Sequence, residues 1–290
     1  MEPLELDYYR LDRLALKFRD GISGMQSGKR LTSKYGSSLE FADYRPYLPG
    51  DDPRRIDWLL FGRSRRLYTR LNRSEVDATV NFLVDNSKSM NWGEPDKGRR
   101  ALELVLALSY LSLRALDRIA IGFGAKELES YLPPLHWKGA FPRVLHFLQS
   151  RSFSGEGDLN LLLLSFHRNL RPQQMAVVVS DFLSPGGYQE GLRRLLFARQ
   201  EILVLHVACP EELEPEQRGP LTLVDVETGR KKDLEMNPWL LQRYRRTLES
   251  YCREIESFCR QRGINYLFYN SRQDPVDFLL EKAHLLFKRQ

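Results

Sequence analysis

The sequence predicts a doubly wound α/β fold: a mostly parallel sheet covered by helices on both faces, behind an N-terminal region of helix and short strands. Three observations predict it. Short, mostly apolar runs with β-branched residues, such as 79–84 and 175–179, read as strands buried on both faces. From residue 79 onward these runs alternate with segments of helical period. Two of them end in an aspartate, Asp85 and Asp181, at the strand ends where open α/β sheets carry their ligand crevice.

The elements follow in order. Leu4, Leu11, Leu14 and Phe18 stand near helical spacing and predict a first helix over 4–19. Residues 21–38, rich in Gly, Ser and Lys, read as an exposed loop or hairpin. Residues 39–78 mix aromatics, prolines and arginines without a clean period and read as short strands and turns, with a strand over 66–72. A buried strand at 79–84 then leads to a helix over 96–117, with Asp96 at its N-cap. Next come a strand at 118–124 and an edge-like strand at 126–134. Helices are predicted at 140–150 and 158–170, the second capped by Asp158. A strand at 175–182, a helix at 188–200 and a strand at 201–210 continue the alternation. Residues 221–235 read as an inserted hairpin turning at Thr228-Gly229. A long helix over 237–263 closes at Gly263, and a strand at 264–270 and a helix at 274–289 end the chain. Leu240, Tyr244, Leu248, Tyr251, Ile255 and Phe258 form one stripe on the long helix, to pack internally or to self-associate. Two parts are expected: residues 1–78, helix and short strands, and residues 79–290, the α/β domain with its hairpin insertion.

Composition bounds the function. Of the 290 residues, 42% are hydrophobic and 28% charged, ordinary values for a soluble globular chain. No apolar run is long enough to cross a bilayer and the acidic start has no signal-peptide pattern, so the expected location is cytoplasmic. Cys209, Cys252 and Cys259 have neither disulfide nor zinc spacing. Formal net charge is +6, and between Arg54 and Arg73 seven arginines face one acid, Asp57. That field suits a solvated basic face, an acidic protein partner or a nucleic acid. No nucleic-acid module is visible, so no nucleic-acid partner is expected.

The chemistry concentrates at "DNSKS" (85–89). Asp85, Ser87 and Ser89 place one carboxylate and two hydroxyls two residues apart at a strand end. Hard divalent cations such as Mg²⁺ take oxygen ligands in this way, and Asp181 from a neighbouring loop supplies a second carboxylate. Two hydroxyls keep the charge of the site low, leaving a bound cation attractive to an incoming acid. The plainer reading has Asp85 and the serines hydrogen-bonding their own loop.

Asp-x-Ser-x-Ser after the first strand, with an aspartate after a later one, resembles the metal-ion-dependent adhesion site of von Willebrand factor A-like domains. There Mg²⁺ or Mn²⁺ bridges the protein to a partner's Asp or Glu. The preceding "RPYLPGDDPRRIDW" (45–58), within 39–75, resembles the signature of a bacterial and archaeal family, domain of unknown function 58. The resemblance runs strongly from about Gly21 to Phe123 and more loosely to Phe182. It implies a von Willebrand factor A-like fold and a MoxR-type AAA+ ATPase as partner in complex assembly; the missing acid/base pair at Ser87 favours a non-enzymatic interaction module. The resemblance makes Asp85, Ser87, Ser89 and Asp181 metal residues. It also implies a threonine in the second loop, where "GEGDL" (155–159) has Gly157 and no hydroxyl; either water fills that place, or Asp158 moves in, or the site binds metal poorly.

In the signature segment, Asp51, Asp52 and Asp57 lie among Arg45, Arg54 and Arg55, so pairing within the segment is expected. Trp58 offers an apolar face for docking on the α/β domain. Arg54, Arg55, Asp51, Asp52, Asp57 and Trp58 are therefore taken as structural and partner-facing. Other sites fail on their residues. "GMQSGKR" (24–30) is one residue short of a phosphate loop and has Arg30 where Ser or Thr is required. The histidines show no metal spacing, and neither serine sits in a GxSxG elbow. The enzymatic alternative is a metal-dependent phosphoryl hydrolase using Asp85. Aspartate-nucleophile phosphatases keep a general acid two residues on, where this chain has Ser87.

Overall fold

A computed structural model describes residues 4, 6–21, 30–48, 51–76, 79–226 and 229–286. From the N-terminus the chain forms α1 (Tyr8–Gly21), β1 (Arg30–Pro46), α2 (Trp58–Ser64) and β2 (Tyr68–Val76). It continues through β3 (Thr79–Asp85), α3 (Lys97–Arg114), β4 (Arg118–Gly124), β5 (Leu128–Leu135), α4 (Phe141–Gln149) and α5 (Leu159–His167). Then come β6 (Met175–Ser180), α6 (Gln189–Phe197), β7 (Glu201–Ala208), α7 (Pro210–Leu213), β8 (Gly219–Val224) and β9 (Lys231–Met236). It ends with α8 (Pro238–Arg260), β10 (Asn265–Asn270) and α9 (Pro275–Leu286).

Two compact units result: Met1–Ser23 with Thr79–Gln290, and Gly24–Ala78. The break after residue 78 is where it was expected, but residues 1–23 fall with the α/β unit. Leu4, Leu11 and Leu14 are buried in the core of the α/β unit, so α1 belongs there rather than with the signature region. Apolar side chains at helical spacing need a large core to cover them, and the α/β unit supplies it.

Within the α/β unit six strands form one sheet in the order β10-β7-β6-β3-β4-β5. Every neighbouring pair is parallel except β4 with β5, which is antiparallel. All seven residues of β3 are buried, as a central strand covered on both faces requires. Successive side chains alternate between two cores. Phe82 and Val84 join Val177, Val179, Leu203 and Leu205 under α1, α3, α4 and α9. Leu83 joins Val178 and Val204 under α5, α6 and α8. This is the doubly wound architecture that the pattern predicts, consistent with the von Willebrand factor A-like fold that the resemblance implies. The edge placement of the 126–134 strand, now β5, is as expected. The chain leaves β3 toward β4 on one side and returns to β6 on the other. The order therefore reverses at β3 and β6, opening a crevice at their carboxyl ends.

The inserted hairpin is present as β8 paired with β9. Its turn at Thr228 lies outside the described residues, as do Pro49-Gly50 and most of "GMQSGKR". The short α7 was not expected; Pro210 starts it and Glu212 accepts from the Cys209 amide at 3.0 Å. Asn237 caps α8 by accepting from the Leu240 amide at 2.9 Å, and Gly263, at φ +66°, lets the chain leave it. The α8 stripe divides. Ile255 is buried, with Tyr251 and Phe258 packed beside it, whereas Tyr244 is exposed. Cys252 and Cys259 are free thiols.

In the Gly24–Ala78 unit, β1 pairs antiparallel with β2 from Arg30↔Val76 to Pro46↔Tyr68. The predicted loop or hairpin over 21–38 is strand from Arg30 onward, paired with β2 rather than folded back on itself. Its backbone groups find partners in β2, which polar composition alone does not disclose. The pairing shifts register at Thr32/Tyr35, Gly36/Phe41 and Phe41/Asp43.

Candidate metal centre

Asp85 is the last residue of β3 and is 3% exposed. Its Oδ1 accepts from the Ser87 amide at 2.9 Å, and its Oδ2 accepts from the Ser180 hydroxyl at 2.6 Å. The Ser87 and Ser89 Oγ atoms lie 3.0 Å apart. The strand end therefore presents a carboxylate and a pair of touching hydroxyls, as the sequence predicts. A short 3₁₀ turn, Lys88–Met90, holds this spacing, and buried Met90 anchors it.

The second loop is laced to the first by backbone. The Lys88 amide donates to Gly155 O at 2.9 Å, and the Gly155 amide donates to Asn86 O at 2.9 Å. Gly155 is required here, because a Cβ would stand 2.3 Å from the Ala125 Cβ and 3.2 Å from Asn86 O. Asp158 does not move in to replace the missing threonine. It caps α5, accepting from the Leu161 amide at 3.1 Å, and its carboxylate lies against Gly186. A helix end needs acceptors for its free amides, and Asp158 meets that need. Among the described residues the structure does not gather Asp85, Asp158 and Asp181 into one acidic metal cluster.

Asp181 follows β6 and is 2% exposed. Its Oδ1 accepts from the Leu183 amide at 3.0 Å, and its Oδ2 accepts from the Lys97 ammonium at 2.7 Å. Lys97 opens α3 with no exposed surface, and its ammonium also donates to Glu212 Oε1. Burial acts to lower the Lys97 pKa, but the charges of Asp181 and Glu212 outweigh it and the net shift is upward. Among the described residues Asp85 has no such cation. Burial first, and the negative charge of Asp181 second, push its carboxyl up to about 7. His206, beside the Phe182 ring and 2.8 Å from the Tyr266 hydroxyl, is driven down to about 4 by burial.

The donor set fits a hard cation on one side of the crevice, at Asp85, Ser87 and Ser89. These are the residues that would hold it. Asp181 and Glu212 share the one ammonium, and among the described residues Asp85 is left with neutral donors alone. Sequence reasoning missed Lys97, Glu212 and Ser180. Lys97 carried one signal: a cation in the first turn of a helix sits against the dipole and calls for an acidic partner.

The signature residues organise their own unit. Asp51 pairs with Arg45 at 2.5 Å and accepts from the Leu48 amide at 3.0 Å. That amide bond leads in holding its carboxyl below the usual range, with Arg45 adding to it. Among the described residues Asp52 does not form the expected arginine bridge. Asp52 accepts from the Arg54 amide at 3.0 Å, and Asp57 caps α2 through the Leu60 amide at 2.9 Å. Asp57, 7% exposed, also accepts from the Tyr44 hydroxyl at 2.8 Å. Free amides at the start of a turn need acceptors, and these short side chains reach them. Trp58 is no buried anchor: it is 62% exposed, with its ring edge-on to Phe61 at 6.2 Å. Arg54 is exposed, and the Arg55 side chain lies outside the described residues.

Comparison with known proteins agrees with the residue pattern. An uncharacterized protein of Mycobacterium tuberculosis (strain ATCC 25618 / H37Rv) is 27% identical over 236 residues, 79% of this chain and 74% of that protein. A second uncharacterized protein, of Mycobacterium avium, is 34% identical over 84 residues, 29% of this chain and 49% of that protein. Among solved structures, the conserved hypothetical protein BatB of Bacteroides thetaiotaomicron has a TM-score of 0.46 at 16% identity, covering 73% of this chain and all of that one. An aerotolerance-related membrane protein of Bacteroides fragilis has a TM-score of 0.48 at 15% identity, with the same 73% of this chain covered. The family described as "Protein of unknown function DUF58" matches residues 43–254, extending past the segment that carries the resemblance in sequence, and the chain belongs to that family.

Proposed function

We propose that the chain is a non-enzymatic interaction module whose crevice holds Mg²⁺ or Mn²⁺ at Asp85, Ser87 and Ser89 and so captures an acidic side chain of a protein partner. The observation that carries this reading is Asp85. It is a buried carboxylate without a cationic partner among the described residues, beside two touching hydroxyls at the topological switch point. Burying such a charge unpaired is costly, and a divalent ion would remove the cost. Exposed Trp58, Leu59 and Arg54 offer a second contact to the same partner. An AAA+ ATPase of the MoxR type suits this role, and among the described residues no helix is long and apolar enough to cross a membrane. A cytoplasmic setting is part of the proposal.

Thermal unfolding with EDTA against millimolar Mg²⁺ or Mn²⁺ tests it. An ion at about 100 times its dissociation constant adds about 2.7 kcal/mol. The shift should appear in wild type and vanish in Ser89→Ala. No shift in wild type would overturn the metal reading.

One observation favours a second reading. The Lys97 ammonium beside Asp181, close to Asp85, is also a combination that a phosphoryl hydrolase would use. Turnover of a generic phosphate ester with Mg²⁺, lost in Asp85→Asn, would replace the first reading with the second.

A further inference from the structure

We propose that Lys97 is the resident counter-ion of Asp181 and withholds that carboxylate from the divalent ion, so that the first loop alone holds the metal and Lys97 sets its affinity. The inference rests on the metal reading of the crevice and goes beyond it.

Asp181 is satisfied without a metal. One oxygen accepts from the Leu183 amide at 3.0 Å and the other from the Lys97 ammonium at 2.7 Å. The second carboxylate on Lys97, Glu212, is likewise occupied: Oε1 by the ammonium and Oε2 by the Cys209 amide at 3.0 Å. Lys97 has no exposed surface, and Asp181 and Glu212 side chains are 3% and 17% exposed. An ammonium so enclosed cannot drift to water when a cation arrives. Its attraction to Asp181 is screened little at that depth. A divalent ion that recruited Asp181 would therefore have to displace a desolvated ion pair. Asp85 differs in kind: its donors are a backbone amide and a hydroxyl, both neutral. The crevice is thus divided, with an internal monovalent cation on the Asp181 side and oxygen donors for an exchangeable one on the Asp85 side. Such an arrangement predicts a weak, readily exchanged ion that is stabilised further by a partner's carboxylate.

Mn²⁺ binding to the full chain, followed by the free-ion electron paramagnetic resonance signal, reads this out. Asp181→Asn retains one acceptor oxygen, enough for the Lys97 ammonium or the Leu183 amide but not both, and removes the charge; it is expected to leave Mn²⁺ affinity within about twofold. Lys97→Met frees Asp181 and is expected to tighten Mn²⁺ by about tenfold, the effect typical of groups just outside a metal's ligands. Adding Asp181→Asn to Lys97→Met should erase the gain. If Lys97→Met does not fold, Lys97→Met/Glu212→Gln removes the second stranded carboxylate and serves in its place, with near-ultraviolet circular dichroism checking the fold. If Asp181→Asn weakens Mn²⁺ as severely as Ser89→Ala, Asp181 is a ligand and the inference falls while the metal reading stands. If Lys97→Met leaves affinity unchanged, the inference also falls. If neither wild type nor any Lys97 variant binds Mn²⁺, both readings fall together. Binding in Lys97→Met but not in wild type would overturn the inference, because the first loop alone would then not hold the ion.

Discussion

Asp85→Asn should make the protein more stable at neutral and alkaline pH in the absence of metal. The replacement is isosteric: the new side-chain oxygen can accept from the Ser87 amide, and the new amide group can donate to the Ser180 hydroxyl, so the loop geometry survives. What the substitution removes is a charge. The folded Asp85 carboxyl titrates at about 7 against an ordinary 3.8, with burial the leading cause and Asp181 the next. The folded state therefore holds the proton more tightly than the unfolded chain between those values. Stability from this group is full below about pH 4 and is lost as pH rises through about 7. At 1.36 kcal/mol per unit, the loss is about 4 kcal/mol. For 290 residues, an unfolding entropy of roughly 2.1 cal/mol/K per residue converts this to about 7 °C. Melting curves of wild type and Asp85→Asn at pH 5 and pH 8, in EDTA, measure it. The two should melt closer together at pH 5, and the variant should melt higher at pH 8. Millimolar Mg²⁺ should then stabilise wild type and leave the variant unmoved. A variant that melts below wild type at pH 8 would refute the claim that an uncompensated charge resides at this strand end.

His206 slopes the other way. Burial holds its folded pKa at about 4 against 6.5, so the stability present above pH 6.5 is lost as pH falls toward 4. His206→Gln should shrink the acid loss measured by urea unfolding by about 3 kcal/mol. Asp57→Ala removes the α2 cap and the Tyr44 bond, each of order 1 kcal/mol. It should speed proteolysis within 24–78. Asp52→Ala, which removes the cap of one 3₁₀ turn, should cost about 1 kcal/mol or less and leave the chain folded. Gly155→Ala drives a methyl into Ala125 and should cost about 1–3 kcal/mol by urea midpoint. An unchanged midpoint would mean the two loops are not held together there.

Much was legible in the sequence because its signals are local. The period of Leu102 to Leu111 makes α3, the mostly apolar 79–84 run makes the central strand, and Asp96 and Asp158 stand where helix ends need acceptors. The Asp85–Ser87–Ser89 loop was also readable, since three oxygens two residues apart share one turn. What depends on distance along the chain was not. Lys97 and Asp181 are 84 residues apart and Lys97 and Glu212 are 115 apart, so no window of sequence joins them. The sheet order alone brings the ends of β6 and β7 beside the start of α3. The same holds for α1, whose apolar stripe announced a helix but not which unit would bury it. The sequence determined which residues could bind a cation; the tertiary structure decided that one carboxylate, Asp181, already has one. Helices, turns and strand ends are set by neighbours in the chain, whereas charge balance is set by whatever the fold encloses.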